Sequence, residues 1–192
     1  MNSISFTMRP AVVRGERVFL SPMMREDVRR FWEWLHDEEV VKYLLLYDRV
    51  YTLEDEMEWY ERARRSGDYH FSVVTAEGEL IGNCSLMKVN RRDRNAEAGI
   101  AIFNRDYIGR GYGTEAMKLL LDFAFLRAEL HMVYLRVFAF NERGIRSYRK
   151  VGFRESGRIR EARLYRGRYH DVILMDITRE EFLEKYYSGG VD

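Results

Sequence analysis

Apolar residues at Val28, Phe31, Trp32 and Leu35 recur at i, i+3, i+4 and i+7, which predicts an amphipathic helix over 26–35. A second short helix is expected over 38–44. Thr52 followed by Asp55 is a capping-box variant that opens a third, running to about residue 65. The period then changes. Residues 69–75 (YHFSVVT) are β-rich, Ala76-Glu77-Gly78-Glu79 is a turn signal, and 80–89 resumes as a strand, so the pair reads as a hairpin. A polar turn over 90–94 leads to a further strand over 96–103. After a loop over 104–112, a strong helix is predicted over 113–130. Its polar stripe is Glu115, Lys118, Asp122 and Glu129, and most other positions are apolar, as in a mostly buried helix. A strand over 132–140 follows. Asn141 then caps a short helix that Gly152 closes. Strands over 154–164 and 169–177 are joined at Arg166-Gly167, and Thr178 with Glu181 caps a last helix. With a short strand at 17–20 in front, the order predicts an α+β fold: a mostly antiparallel sheet with one parallel crossover.

Composition narrows the classes. A chain of 192 residues with 46% hydrophobic content suits one domain, here 16–187, with tails at 1–15 and 188–192. Lys+Arg is 32 and Asp+Glu is 31, so no global basic field attracts nucleic acid or an anionic membrane. Arginine dominates the cations, which leaves local patches open. One cysteine, Cys84, excludes an internal disulfide and a multi-Cys zinc site, and no metal is expected. It fits a reducing, cytoplasmic compartment. The first ten residues lack the apolar core of a secretory signal, and no stretch approaches 18 apolar residues. A monomer or a homodimer is expected.

The most informative stretch is Gly109-Arg110-Gly111-Tyr112-Gly113-Thr114, between a strand and the long helix. Glycine lets backbone N–H groups approach an anion, and the helix behind adds about half a positive charge at its N-terminus. The turn therefore reads as a phosphate cradle, or as glycines that merely permit a tight turn. A P-loop is excluded because no Lys follows the last glycine. A dinucleotide fingerprint is excluded because Thr114 stands at its third glycine.

Around this turn the chain resembles the GNAT superfamily of N-acetyltransferases. The resemblance rests on Ala96-Glu97-Ala98-Gly99-Ile100, on the glycine turn with Glu115-Ala116, on Asn141-Glu142-Arg143, and on residues 147–153 (SYRKVGF). It covers about residues 16–180. Within the superfamily the chain is similar to the enzymes acetylating ribosomal-protein N-termini and to their spermidine-acetylating relatives. The signature's first position falls on Ile108 in place of Gln or Arg. The resemblance implies acetyl-CoA as co-substrate, its pyrophosphate on N–H groups from Ile108, Gly109, Arg110, Gly111, Tyr112, Gly113 and Thr114. It also implies that the strand through Ile100, Ala101 and Ile102 pairs with the pantetheine arm, and that Asn141 bonds that arm or caps its helix.

Acetyl transfer from a thioester needs a neutral amine, a donor to the oxyanion and a proton for the departing thiolate. By the resemblance, Tyr148 is the acid, since its phenol stays protonated at neutral pH; its other reading is a core aromatic. Two glutamates are candidate bases. Glu97 lies near the strand presenting the acetyl group. Glu161 matches a glutamate that recurs in the late strand of the two related groups. Gly144 stands where the ribosomal enzymes place a serine. A backbone N–H near Ile102 is the expected oxyanion donor. His36, His131, His70 and His170 read as structural, and Cys84 as a small buried hydrophobe.

The resemblance implies that the early helices form the amine-binding lip. They carry Asp37, Glu38, Glu39, Glu54, Asp55, Glu56, Glu58 and Glu61, interleaved with Trp32, Trp34, Tyr43, Tyr47, Tyr51, Trp59 and Tyr60. That composition suits a cationic amine; it equally suits a solvated face with helix pairs such as Glu58 to Arg62. The acceptor is a small-molecule amine or a protein N-terminus. A non-catalytic acyl-CoA-binding module on the same fold is the alternative.

Overall fold

The computed structural model describes residues 9–44 and 50–188; Tyr47 and the outermost ends of both expected tails lie outside them. Eight strands form one sheet: β1 (Val13–Arg14), β2 (Val18–Pro22), β3 (Tyr69–Thr75), β4 (Leu80–Asn90), β5 (Asn95–Ile102), β6 (Met132–Phe138), β7 (Arg154–Tyr165) and β8 (Arg168–Thr178). Their spatial order is β1-β2-β3-β4-β5-β6-β8-β7. Every neighbouring pair is antiparallel except β5 and β6. The helices are α1 (Asp27–Trp34), α2 (Glu38–Val41), α3 (Leu53–Arg65), α4 (Tyr112–Asp122), α5 (Glu142–Val151) and α6 (Arg179–Tyr186).

Strand alternation divides the interior in two. Ile100 and Ile102 on β5 pack into a large core with Met117, Leu120 and Leu121 of α4. Ala101, between them, joins a second cluster with Phe31, Val40 and Phe103 on the side of α1 and α2. The long helix thus covers one face, and the early helices cover the other.

Both predicted capping boxes are present, Thr52 with Asp55 and Thr178 with Glu181. Several boundaries differ from the sequence reading, among them the end of α2, which stops at Val41 rather than 44. Val13 and Arg14 belong to the sheet, paired with Leu20 and Phe19, although they fall in the expected tail. The long helix stops its regular course at Asp122 and continues as a π-helical turn over Phe123–Arg127. The wider turn serves packing on two sides: Phe123 meets Tyr69 and Phe71 edge-on at 4.9 Å, while Phe125 sits 5.3 Å from Phe182. Strand β6 ends at Phe138, two residues early.

The feature that positions the site is the parallel pair. Only Asn95, Ala96 and Glu97 of β5 are in register with β6, opposite Met132, Val133 and Tyr134. Beyond Glu97 the strands part, while β5 stays paired with β4 as far as Ile102.

Candidate active site

The gap between β5 and β6 opens into a cavity of about 1140 Å³. It reaches both faces of the sheet, from the α4 and α5 N-termini on one side to Val40, Tyr43 and Leu44 on the other.

At the first side, the glycine turn takes the conformation its composition suggests. Gly109 has φ +76° and Gly111, which caps α4, has φ +91°. A Cβ on Gly109 would project into open space, and one on Gly111 would lie 2.9 Å from Arg17 Nη2. The first intrahelical bond runs from Glu115 N–H to Gly111 O, so the N–H groups before it have no partner within the helix. Arg17 braces the turn from below. It donates to the Arg110 carbonyl at 3.0 Å and to Glu115 Oε2 at 3.0 Å, and lies over the Tyr112 ring at 4.8 Å. Burial pushes the Glu115 carboxyl up, but the Arg17 and Val18 backbone N–H groups and the Arg17 guanidinium outweigh it and hold the group below its ordinary value. Thr114 and Ser147 hydroxyls, 2.8 Å apart, tie α4 to α5.

Deeper in, Tyr148 stands on α5 with its ring 6.1 Å from Phe153. Burial pushes its phenol up to about 12, opposed by the Arg143 charge. Asn141 caps α5 by accepting from Gly144 N–H at 3.0 Å. A Cβ on Gly144 would lie 2.7 Å from the Asn141 amide nitrogen, so the glycine leaves room for the cap. Glu97, 4% exposed, accepts from Lys88 Nζ at 2.7 Å and Arg136 Nε at 2.6 Å. Burial pushes its carboxyl up, yet these two cations more than offset burial and hold it below the ordinary range.

The expected site residues mostly converge. Glu97, Ile100, Ala101, Ile102, Ile108, Gly109, Arg110, Gly111, Gly113, Thr114, Asn141 and Tyr148 all line the cavity. Tyr112 and Glu161 do not. Tyr112 packs at 90° against Tyr107, 4.9 Å away, and supports the turn from outside. Glu161 is exposed, in a bulge of β7 where three residues between Ile159 and Arg163 oppose Asp171 alone. Its backbone has φ +52°, and its N–H donates to Asp171 Oδ1 at 2.9 Å.

Sequence reasoning missed the cationic wall. Arg136, Arg143, Arg146, Lys150 and Arg163 all face the cavity. The excess of arginine was the only hint, because the sheet gathers these residues from three separate segments. Of the acidic lip, only Glu39 lines the cavity, and it is bound to Lys42 at 2.5 Å. Asp37 is bound to Arg105, Glu38 to Arg166, Glu58 to Arg62 and Glu61 to Arg64. Among the described residues, no group of three potential metal ligands occurs. The buried Cys84 thiol is pushed up by burial and lies on a strand, away from the cavity lining.

Residues 17–154 match the family model described as an acetyltransferase (GNAT) domain. The chain is 31% identical over 175 residues to the spermidine N(1)-acetyltransferase of Escherichia coli strain K12, covering 90% of this chain and 92% of that one. It is 29% identical over 106 residues to a putative ribosomal N-acetyltransferase of Bacillus subtilis, covering 55% and 57%. The crystal structure of spermidine N-acetyltransferase from Vibrio cholerae, in complex with CoA and spermine, superposes with a TM-score of 0.79 at 27% identity, over 86% of this chain and 98% of that one. With the family model spanning most of the sheet and the glycine turn, the chain belongs to the GNAT family of acetyltransferases.

Proposed function

We propose that the protein transfers an acetyl group from acetyl-CoA to the primary amine of a small molecule, by direct attack in a ternary complex. The observation that carries this reading is the parted β5–β6 pair with a glycine-capped helix N-terminus at its mouth and Tyr148 at its depth. The open space before Gly109 and the N–H groups that follow it suit a diphosphate, whereas the Ile108 N–H, expected among those donors, is already given to the Arg105 carbonyl at 3.1 Å. The β5 edge facing the gap suits an extended amide arm. The thioester supplies the activated acyl group. Bound there, it lies between donors on β5 and the Tyr148 hydroxyl.

In this reading Tyr148 donates the proton that the departing thiolate needs, and its raised pKa keeps that proton in place at neutral pH. A backbone N–H near Ile102 faces the oxyanion. Glu97 stays ionised inside the cavity and takes the amine's proton through water; its two cations make it a weaker base than a free carboxylate. Glu161 lies outside the lining, which favours Glu97 of the two. Relatives that act on spermidine make polyamines the first acceptors to try. The test is acetyl-CoA with polyamines, amino acids, N-terminal peptides and aminoglycosides, read by free-thiol release and product mass. Acetylation of at least one amine supports the reading. Coenzyme A binding with no transfer to any of them would instead favour a non-catalytic acyl-CoA-binding module.

A further inference from the structure

We propose that the acceptor is a monoamine with an apolar body, laid along a row of apolar side chains that runs from the β5–β6 gap out to Ile159. This rests on the acetyl-transfer reading and narrows its substrate class.

Strand register sets the row. Phe138 of β6 stands opposite Val172 of β8, and Val172 stands opposite Ile159 of β7. Residues directly opposite each other across a sheet share a face. That face also carries Glu97, which is in register with Tyr134, because Tyr134, Arg136 and Phe138 alternate onto one side of β6. It is the side of Ala101 and the early helices. All three residues of the row line the cavity, and Val40 of α2 and Leu44 just after it line the same half. Exposure climbs along the row, from 6% at Phe138 and 8% at Val172 to 48% at Ile159. Ile159 is thus a large apolar side chain left half in water at the rim, continuous with the place where the acetyl group arrives. An alkyl or aryl body along the row takes that surface out of water.

Charge in this half is already engaged. Among the described residues the cavity has two acids: Glu39 is bound to Lys42, and Glu97 to Lys88 and Arg136. Arg163 donates to the Leu44 carbonyl at 3.3 Å and lies over the Phe138 ring at 4.9 Å, and Arg143 lies over the Tyr43 ring at 5.3 Å. Arg146 and Lys150 flank Ser147, whose hydroxyl is 2.8 Å from that of Thr114 in the first turn of α4, so they stand in the co-substrate's half. A second ammonium on the acceptor therefore meets cations and, among the described residues, no free carboxylate. A methyl group in its place meets an apolar wall.

Two acceptors of equal length separate the cases: hexylamine ends in a methyl group where 1,5-diaminopentane ends in an ammonium. Free-thiol release from acetyl-CoA is measured with each at one pH, and along the series from propylamine to hexylamine. The expected kcat/KM is at least about tenfold higher for hexylamine than for the diamine. Along the series it should rise about threefold to fourfold with each buried methylene. Ile159→Asn should flatten that rise. A CoA-induced increase in melting temperature shows that the variant is folded and loads its co-substrate; if it fails that check, the series in the unaltered protein decides alone. Equal or better use of the diamine by the unaltered protein, or a series with no rise, overturns the inference and leaves acetyl transfer standing. So does a folded Ile159→Asn variant that keeps the full rise. Absence of thiol release with every amine tried overturns both.

Discussion

Replacing Gly109 by Ala tests the phosphate cradle against its simplest rival, a glycine needed only for the turn. Gly109 sits at φ +76° with nothing within 4 Å of where a Cβ would go. Gly67, after α3 and away from the cavity, has φ +79° and the same open surroundings. Holding an L-residue in that conformation costs about 1–2 kcal/mol at either position. Unfolding entropy of about 2.1 cal/mol/K per residue gives roughly 0.4 kcal/mol/K for the whole chain. Both alanine variants should therefore melt about 2–5 °C lower than the unaltered protein. Coenzyme A distinguishes them. At about 100 times its Kd it should stabilise the native protein by about 2.7 kcal/mol, a rise of roughly 7 °C. If the methyl group displaces one phosphate contact, affinity falls about tenfold and the gain drops to about 1.4 kcal/mol, or roughly 3.5 °C. Thermal melts of both variants, with and without coenzyme A at the same concentration, read this directly. An equal ligand-induced rise in Gly109→Ala and Gly67→Ala would refute the cradle.

Other outcomes follow from the same geometry. Tyr148→Phe should lower turnover by about 100-fold or more while the dissociation constant for coenzyme A stays nearly unchanged; steady-state kinetics beside a binding titration decide it, and unimpaired turnover removes the phenol from the chemistry. Glu97→Gln should cost about 1–3 kcal/mol at neutral pH, because two cations lose a charged partner. Its folded pKa lies below the ordinary 4.5, so this contribution is complete above 4.5 and is lost as pH falls through the folded value. The gap in melting temperature between Glu97→Gln and the unaltered protein should accordingly narrow from pH 7 to pH 3, and a constant gap would count against the ion triplet. Cys84 is fully buried with its thiol pushed up, so a thiol reagent should label it only after denaturation.

Local chemistry made much of this legible. The capping boxes at Thr52 and Thr178 mark their helix starts because each motif satisfies its own backbone donors. The glycine turn is readable because positive φ restricts which residues serve there. What escaped depends on partners distant in sequence. The π-helical turn after Asp122 follows from Phe123 and Phe125 seating against β3 and α6, which no periodicity within the helix encodes. The β7 bulge depends on Asp171 across the hairpin. Glu161 fits a motif by position, yet the bulge turns it to solvent, whereas Arg163 carries no motif and reaches the cavity. Two of the ion pairs on the acidic lip, at Asp37 and Glu38, draw on Arg105 and Arg166, more than 60 positions away, whereas those at Glu39, Glu58 and Glu61 are local to their helices, so composition alone left part of that lip open to a cationic ligand.

The short register of β5 against β6 has a consequence for how the protein behaves when loaded. Past Glu97 and Tyr134, main-chain amides on two facing edges lack the ladder that protects their neighbours. A guest whose own amides bridge that seam would act as a missing rung of secondary structure, and its arrival would slow solvent exchange of the gap-facing hydrogens along residues 98–102 and 135–138, the alternate ones that β4 and β8 do not hold. Catalytic readiness and local rigidity would then rise together, so the emptied enzyme should breathe most along the crevice where its chemistry takes place.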